Sequence, residues 1–156
     1  MVNRGIASLA LVMMVCFLLL SHFDPQFFWV HLYESLIYIV MVVMLLYAKH
    51  RWPYMLGIVA PAGWLLLSWV TSGFGEVLGE MSRFVNAEAP GYTVIFLGNL
   101  ISILSVSMMA LCCYSWGRGI AGVGKRWSTF LVCLGVVAIY YGALVIWIWR
   151  LAPSGA

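Results

Sequence analysis

Five stretches of this chain, 6–21, 25–48, 54–72, 93–116 and 128–149, contain between them one acid, Glu34, and no lysine or arginine. Each is close in length to the roughly 20 apolar residues that cross a hydrocarbon core about 30 Å thick. In hydrocarbon every backbone N–H and C=O must be satisfied within the chain, which leaves helices and closed barrels. Barrel strands alternate in polarity with a period of two. These runs are continuously apolar, so the expected fold is all-α: an integral membrane bundle of about five transmembrane helices, forming one domain over 1–156.

The remaining side chains could not support a water-soluble alternative. Apolar residues make up 65% of the 156 positions and charged residues 8%, against about 45–50% and about 25% in soluble domains. The net charge of +3 is small. Its basic residues flank the apolar runs and form no stripe of the kind that binds nucleic acid. Cys16, Cys112, Cys113 and Cys133 have no CxxC spacing and fall in or beside the runs, where a thiol behaves as a small hydrophobe. No disulfide framework is expected.

Along the chain, Arg4 and the first apolar run would also suit a signal peptide, but the small-residue cleavage pattern is missing, so 6–21 is read as a retained helix. Asp24 before Pro25 makes a helix start, with the carboxylate as cap and proline at the first helical position. Pro61, among Ala60, Ala62 and Gly63, should kink the third helix beside small residues that admit a neighbour. Within 73–91, the longest hydrophilic segment, Val77, Leu78, Met81, Phe84 and Val85 share one helical face, with Glu76, Glu80 and Arg83 on the other. That pattern predicts a short amphipathic helix in the outer loop, lying on the membrane surface.

Lysine and arginine set the orientation. One side would carry Arg4, Lys49, Arg51, Arg118, Lys125 and Arg126, the other only Arg83 and Arg150. The N-terminus is therefore expected in the cytoplasm and the C-terminus on the opposite side. Aromatic residues such as Phe27, Trp69 and Trp147 at one boundary, and Tyr47, Trp52 and Trp127 at the other, fit interfacial belts.

Glu34 is the chemically informative residue. It lies about 14 Å along its helix from Pro25, near the middle of the expected span, where charged groups face a bundle interior or an aqueous cavity. His31, Glu34, Ser35 and Tyr38 share its helical face, and Asn99 lies at a comparable depth on the fourth span. Ser68, Tyr140 and Tyr141 are further partners in reach. The expectation is a buried polar cluster of Glu34, His31, Ser35, Tyr38 and Asn99. It serves either as a hydrogen-bonded network that fixes helix packing or as a site for a proton, a cation or a polar headgroup.

His22, Asp24, His31 and Glu34 form a weaker candidate metal set. Helical di-iron sites use Glu-x-x-His and further carboxylates; here the order is reversed and occurs once, so no metal is assigned. Haem across the bundle would need histidines at matching depth on two helices, and His50 sits at the wrong end for His31. No cofactor is required by the sequence, although tryptophan and tyrosine could line a pigment or haem pocket. Gly117 to Gly122 matches GxGxxG, and Gly119 to Lys125 approaches GxxxxGK, but a short loop between apolar helices supplies no βαβ unit, and Arg126 stands where Ser or Thr is needed. No nucleotide partner is expected.

Small residues line one face of the fourth span (Gly98, Ser102, Ser105, Cys112) and of the fifth (Gly135, Ala138, Gly142), a pattern that serves close helix approach within the bundle or docking onto other helices. Catalysis is disfavoured because no nucleophile and base pair up. The expected function is a small polytopic membrane protein acting as a non-catalytic accessory or structural subunit of a larger complex, with lipid, quinone or pigment as candidate contacts. Its partners are then the bilayer and other membrane subunits or further copies of itself. The alternative is a small proton- or cation-coupled transporter or channel that uses Glu34, against which stands the lack of an internal duplication.

Overall fold

A computed structural model describes residues 2–47, 51–72, 92–118 and 126–151. They form α1 (Val2–Phe23), a short 3-10 turn (Pro25–Phe27), α2 (Phe28–Tyr47), α3 (Trp52–Ser72), α4 (Tyr92–Gly117) and α5 (Arg126–Leu151). All five helices are long and apolar enough to cross a membrane. The amphipathic helix expected within 73–91 lies outside the described residues, as do His50 and most of the glycine-rich loop.

Two boundaries differ from expectation. The first helix begins at Val2, ahead of Ile6, because nothing in Asn3, Arg4 and Gly5 breaks a helix that the apolar run has nucleated. The second span opens as a 3-10 turn and becomes α-helical only at Phe28. Asp24 is not a side-chain cap there. Its backbone carbonyl accepts from the Phe27 N–H at 3.1 Å, while its carboxylate makes no capping bond. With Pro25 in first position and no N–H to offer, the tight turn is closed by backbone alone and the carboxylate is released for another partner.

Helices α1 to α4 form a ring in which α1 touches α2 and α4, and α3 touches α2 and α4; α5 packs outside the ring against α3. The contact stripes follow helical spacing. On α1, Ile6, Ala10, Met13, Phe17 and Leu20 are buried, and on α2, Val30, Glu34, Ile37 and Met41. Both stripes repeat at alternating steps of four and three, the seam along which two helices interlock side by side. On α4 the buried line is Leu97, Ile101, Ser105, Met108 and Cys112. Phe17 stacks on Tyr38 with ring centroids 5.6 Å apart and meets Trp64 edge-on at 5.7 Å, which fills the centre of the ring with aromatic carbon.

A reciprocal clamp ties α5 to α2. The rings of Tyr33 and Tyr140 stack 4.3 Å apart. The Tyr33 hydroxyl donates to the Tyr140 carbonyl at 3.2 Å, and the Tyr140 hydroxyl donates to the Tyr33 carbonyl. Two stacked phenols thereby each use a backbone acceptor already engaged in its helix, so neither hydroxyl is buried without a partner.

Close approach does not occur at the glycines of the expected stripes. A Cβ placed on Gly98, Gly135 or Gly142 would meet nothing within 4 Å. Among the described glycines the tight positions are both on α3: at Gly57 a Cβ would lie 2.6 Å from the Cys112 sulfur, and at Gly63 it would lie 3.0 Å from the Tyr141 ring. The helix that touches three neighbours needs the smallest residues, whereas Gly98 of α4 and Gly135 and Gly142 of α5 have room for a side chain. Pro61 is buried within α3, which continues unbroken from Trp52 to Ser72.

Candidate functional site

Four polar side chains, Asp24, His31, Glu34 and Trp64, meet where α2 faces α3 near the Asp24 end of the bundle. Glu34 is 6% exposed. One carboxylate oxygen meets His31 Nδ1 at 2.9 Å, and the other accepts from the Trp64 indole N–H at 3.1 Å. The His31 contact is local, since residues three apart on a helix are neighbours. The Trp64 contact is tertiary and depends on how α3 docks. On the far side of the imidazole, Nε2 stands 3.6 Å from an Asp24 oxygen, outside hydrogen-bond range, and is buried with no hydrogen-bond partner.

The result is a linear order, Asp24, His31, Glu34, Trp64, in which side-chain exposure falls from 24% at Asp24 through 15% at His31 to 8% at Glu34. Imidazole is the link because its two nitrogens lie on opposite edges of one ring. The 2.9 Å contact is satisfied by an Nδ1–H that donates to carboxylate, or by a protonated Glu34 that donates to Nδ1. In both arrangements the other Glu34 oxygen still accepts from Trp64. A single proton can therefore sit on either side of that contact without a change of partners.

Of the five residues expected to cluster, three depart from the expected role. Ser35 is buried on the right face, but its hydroxyl donates to the Leu32 carbonyl at 2.7 Å, back-bonding into its own helix. Tyr38 is 1% exposed, but its hydroxyl makes no hydrogen bond to the Glu34 row and instead lies beside the Tyr141 hydroxyl of α5. Asn99 is half-buried on α4 and makes no hydrogen bond to the cluster among the described residues. Depth alone placed it near Glu34. In the ring, α2 and α4 stand across from each other, and the Phe17 and Trp64 rings occupy the space between.

The candidate metal set does not converge: no group of three or more His, Cys, Asp and Glu side chains among the described residues is arranged to hold a metal ion. His31 separates the two carboxylates, so the three side chains form a row and not a cage. His22 is exposed, its ring against Phe23. Trp64 is the site residue that the sequence reading missed. A signal was present: the other tryptophans fall near span ends, whereas Trp64 lies well inside one, and a buried indole N–H requires an acceptor.

No family model, curated protein or solved structure matches this chain. The geometry is therefore the whole basis for the functional reading.

Proposed function

We propose that this chain is a multi-pass integral membrane protein, with its N-terminus in the cytoplasm and its C-terminus on the opposite side, that serves as a non-catalytic accessory or structural subunit of a larger membrane complex. The observation that carries this reading is the outward face of α4 and α5. Ile103, Val106, Leu131, Val136, Ile139 and Ile146 are exposed there, and Gly98 and Gly135 have open space in front of them. Hydrocarbon solvates such a face at no cost, and small residues on it allow a further helix to approach closely. The polar groups support the same reading, because Glu34 is enclosed and engaged on both oxygens. Toward the other end of the bundle, the core around it passes into Met13, Met41, Met55, Met108 and Cys112, where the buried hydroxyls of Ser105 and Ser115 lie on the same stripe of α4 and Ser115 bonds back to its own helix.

Isolation in mild detergent followed by native mass spectrometry tests the subunit reading, with a complex of fixed stoichiometry containing other polypeptides as the expected result. A second reading, a proton- or cation-coupled transporter or channel, is favoured by the row of Asp24, His31 and Glu34. A chain that purifies only with itself and acidifies liposomes in a manner lost in Glu34→Gln would establish that reading and displace the first.

The orientation has its own test. Gln26 is exposed beside Asp24, and Arg118 is exposed at the end of α4. In intact cells, Gln26→Cys should react with a membrane-impermeant maleimide, and Arg118→Cys only after permeabilisation. Reaction of both from the same side would overturn the threading.

A further inference from the structure

One end of the bundle carries positive charge with no counterion in the chain. Arg4 begins α1, Lys49 and Arg51 lie between α2 and α3, and Arg118, Lys125 and Arg126 lie where α4 passes to α5. Gly57, near the start of α3, faces Cys112, near the end of α4, so these junctions belong to the same end. None of the five acids falls in them. Asp24 and Glu34 lie toward the opposite end of α2, and Glu76, Glu80 and Glu88 fall in the chain that joins the far ends of α3 and α4. Among the described residues Arg118 lies over the Tyr114 ring at 4.5 Å, whereas Arg4 has neither an aromatic face nor an ion-pair partner.

Arg4 opens a groove between α1 and α2 with a volume of about 420 Å3, inside the roughly 300–1,000 Å3 range of small-molecule pockets. Its polar residues are Arg4 and Ser8, one turn apart on the same face of α1. Its walls are Leu11 of α1 and Val42, Leu45 and Leu46 of α2, and the small Ala7 leaves room between them. From Arg4 to Leu11 the groove runs about 10 Å into the apolar part of the span. Leu11 and Leu46 are exposed, so the walls are open to lipid. Ser8 is uncommitted as well. Ser107, equally exposed, bonds back to the Ile103 carbonyl at 2.9 Å, whereas the Ser8 hydroxyl makes no hydrogen bond among the described residues.

A free anion would leave the leucine walls unused, and a neutral lipid would leave Arg4 uncompensated. A phosphate takes the guanidinium fork on two oxygens and can accept from a hydroxyl beside it. A zwitterionic headgroup brings its own ammonium, which an end with six cations and no acid repels; an anionic headgroup is attracted. We propose that the groove between α1 and α2 is a binding site for an anionic phospholipid, held by its phosphate at Arg4 and Ser8 with one acyl chain along Leu11, Val42 and Leu46. The inference rests on the membrane reading above and holds for either orientation of the chain.

The test titrates the full chain, in a mild detergent, with phosphatidylglycerol or with phosphatidylcholine of the same acyl chains, and counts bound lipid by native mass spectrometry. The expected result is saturable binding of phosphatidylglycerol, tighter than that of phosphatidylcholine and not competed by glycerol 3-phosphate. Arg4 is exposed, so Arg4→Gln should fold as the parent does and weaken phosphatidylglycerol by about fivefold, the worth of one basic residue at an anionic surface. Ala7→Leu keeps the charge, fills the groove and should abolish the tight binding. Arg118→Gln removes a cation from the same end, away from the groove, and should bind as the parent does. Equal affinity for the two lipids would overturn the proposal, and so would competition by glycerol 3-phosphate, which marks a site for phosphate alone. Equal losses in Arg4→Gln and Arg118→Gln, with none in Ala7→Leu, would overturn it as diffuse attraction only. Alkaline carbonate treatment of cell membranes separates the two levels: release of the chain refutes the membrane reading, whereas retention with equal affinities refutes the groove site alone.

Discussion

Glu34→Ala should destabilise the folded bundle by about 3 kcal/mol, the lower end of what is lost when one partner of a buried charged pair is removed. The substitution strands the Trp64 N–H, which donates to Glu34 at 3.1 Å, and His31 Nδ1, which meets it at 2.9 Å. The Trp64 N–H is the harder of the two to re-satisfy, because its ring is buried edge-on against Phe17. The lower end is appropriate because a helix that leaves the bundle but stays in lipid finds substitute partners, which shrinks the apparent worth of polar contacts. Glu34→Gln is the informative contrast. Its amide oxygen still accepts from Trp64 and its amide nitrogen can donate to Nδ1, so the expected loss is under about 1 kcal/mol. Trp64→Phe falls between, at about 1–2 kcal/mol, since it removes a donor but leaves the imidazole contact. Reversible unfolding in bicelles by steric trapping measures all three. Equal losses for alanine and glutamine would mean that the carboxylate's contacts do not hold the helices together.

The gap between those variants also separates structure from chemistry. Glutamine preserves the geometry and removes the proton that Glu34 can share with His31. A variant that folds normally yet loses function would assign the row from Asp24 to Glu34 a role in proton handling, and one that keeps function would leave it as a packing device. The engagement of both Glu34 oxygens, one by Trp64 and one by His31, favours the packing device within this chain alone.

What could be read without coordinates was whatever depended on local spacing. The five helices follow from uninterrupted apolar runs, and the pairing of His31 with Glu34 follows from three residues of helical separation. What could not be read was azimuth, the direction in which each helix turns its stripe. Asn99 and Glu34 match in depth, but matching depth on helices across the ring from each other brings no contact. Gly98, Gly135 and Gly142 carry the same ambiguity. A small residue on an apolar helix reads identically whether it faces a neighbour in the chain or none, and only the placement of α3 shows that the crowded glycines are Gly57 and Gly63. Asp24 illustrates a competition between two local options. Capping and the imidazole contact were both available to its carboxylate, and the turn closed on its backbone carbonyl decided for the second.

Gly57 carries the second large expected effect, because three helices meet there. A Cβ at this position would approach the Cys112 sulfur of α4 to 2.6 Å, and the Met41 sulfur and methyl of α2 to 3.2 and 3.3 Å. The two neighbours differ in what they can yield. Met41 has three rotatable bonds and a soft thioether and can move aside. Cys112 has one short bond from its backbone and is fully buried, so relief requires α4 to shift. Pro61, one turn along α3, restricts any compensation by α3, since its ring already crowds the Gly57 carbonyl. Gly57→Ala should therefore destabilise by about 1–3 kcal/mol through overpacking, even though alanine is the better helix former by about 1 kcal/mol. Gly57→Val should prevent stable folding. The decisive measurement is the pair: Cys112→Ala removes the obstructing sulfur, so Gly57→Ala combined with Cys112→Ala should be more stable than the sum of the single losses by at least about 1 kcal/mol. Additive losses would show that the contact between α3 and α4 at Gly57 is looser than 2.6 Å implies, and that the ring closes through some other pair of faces.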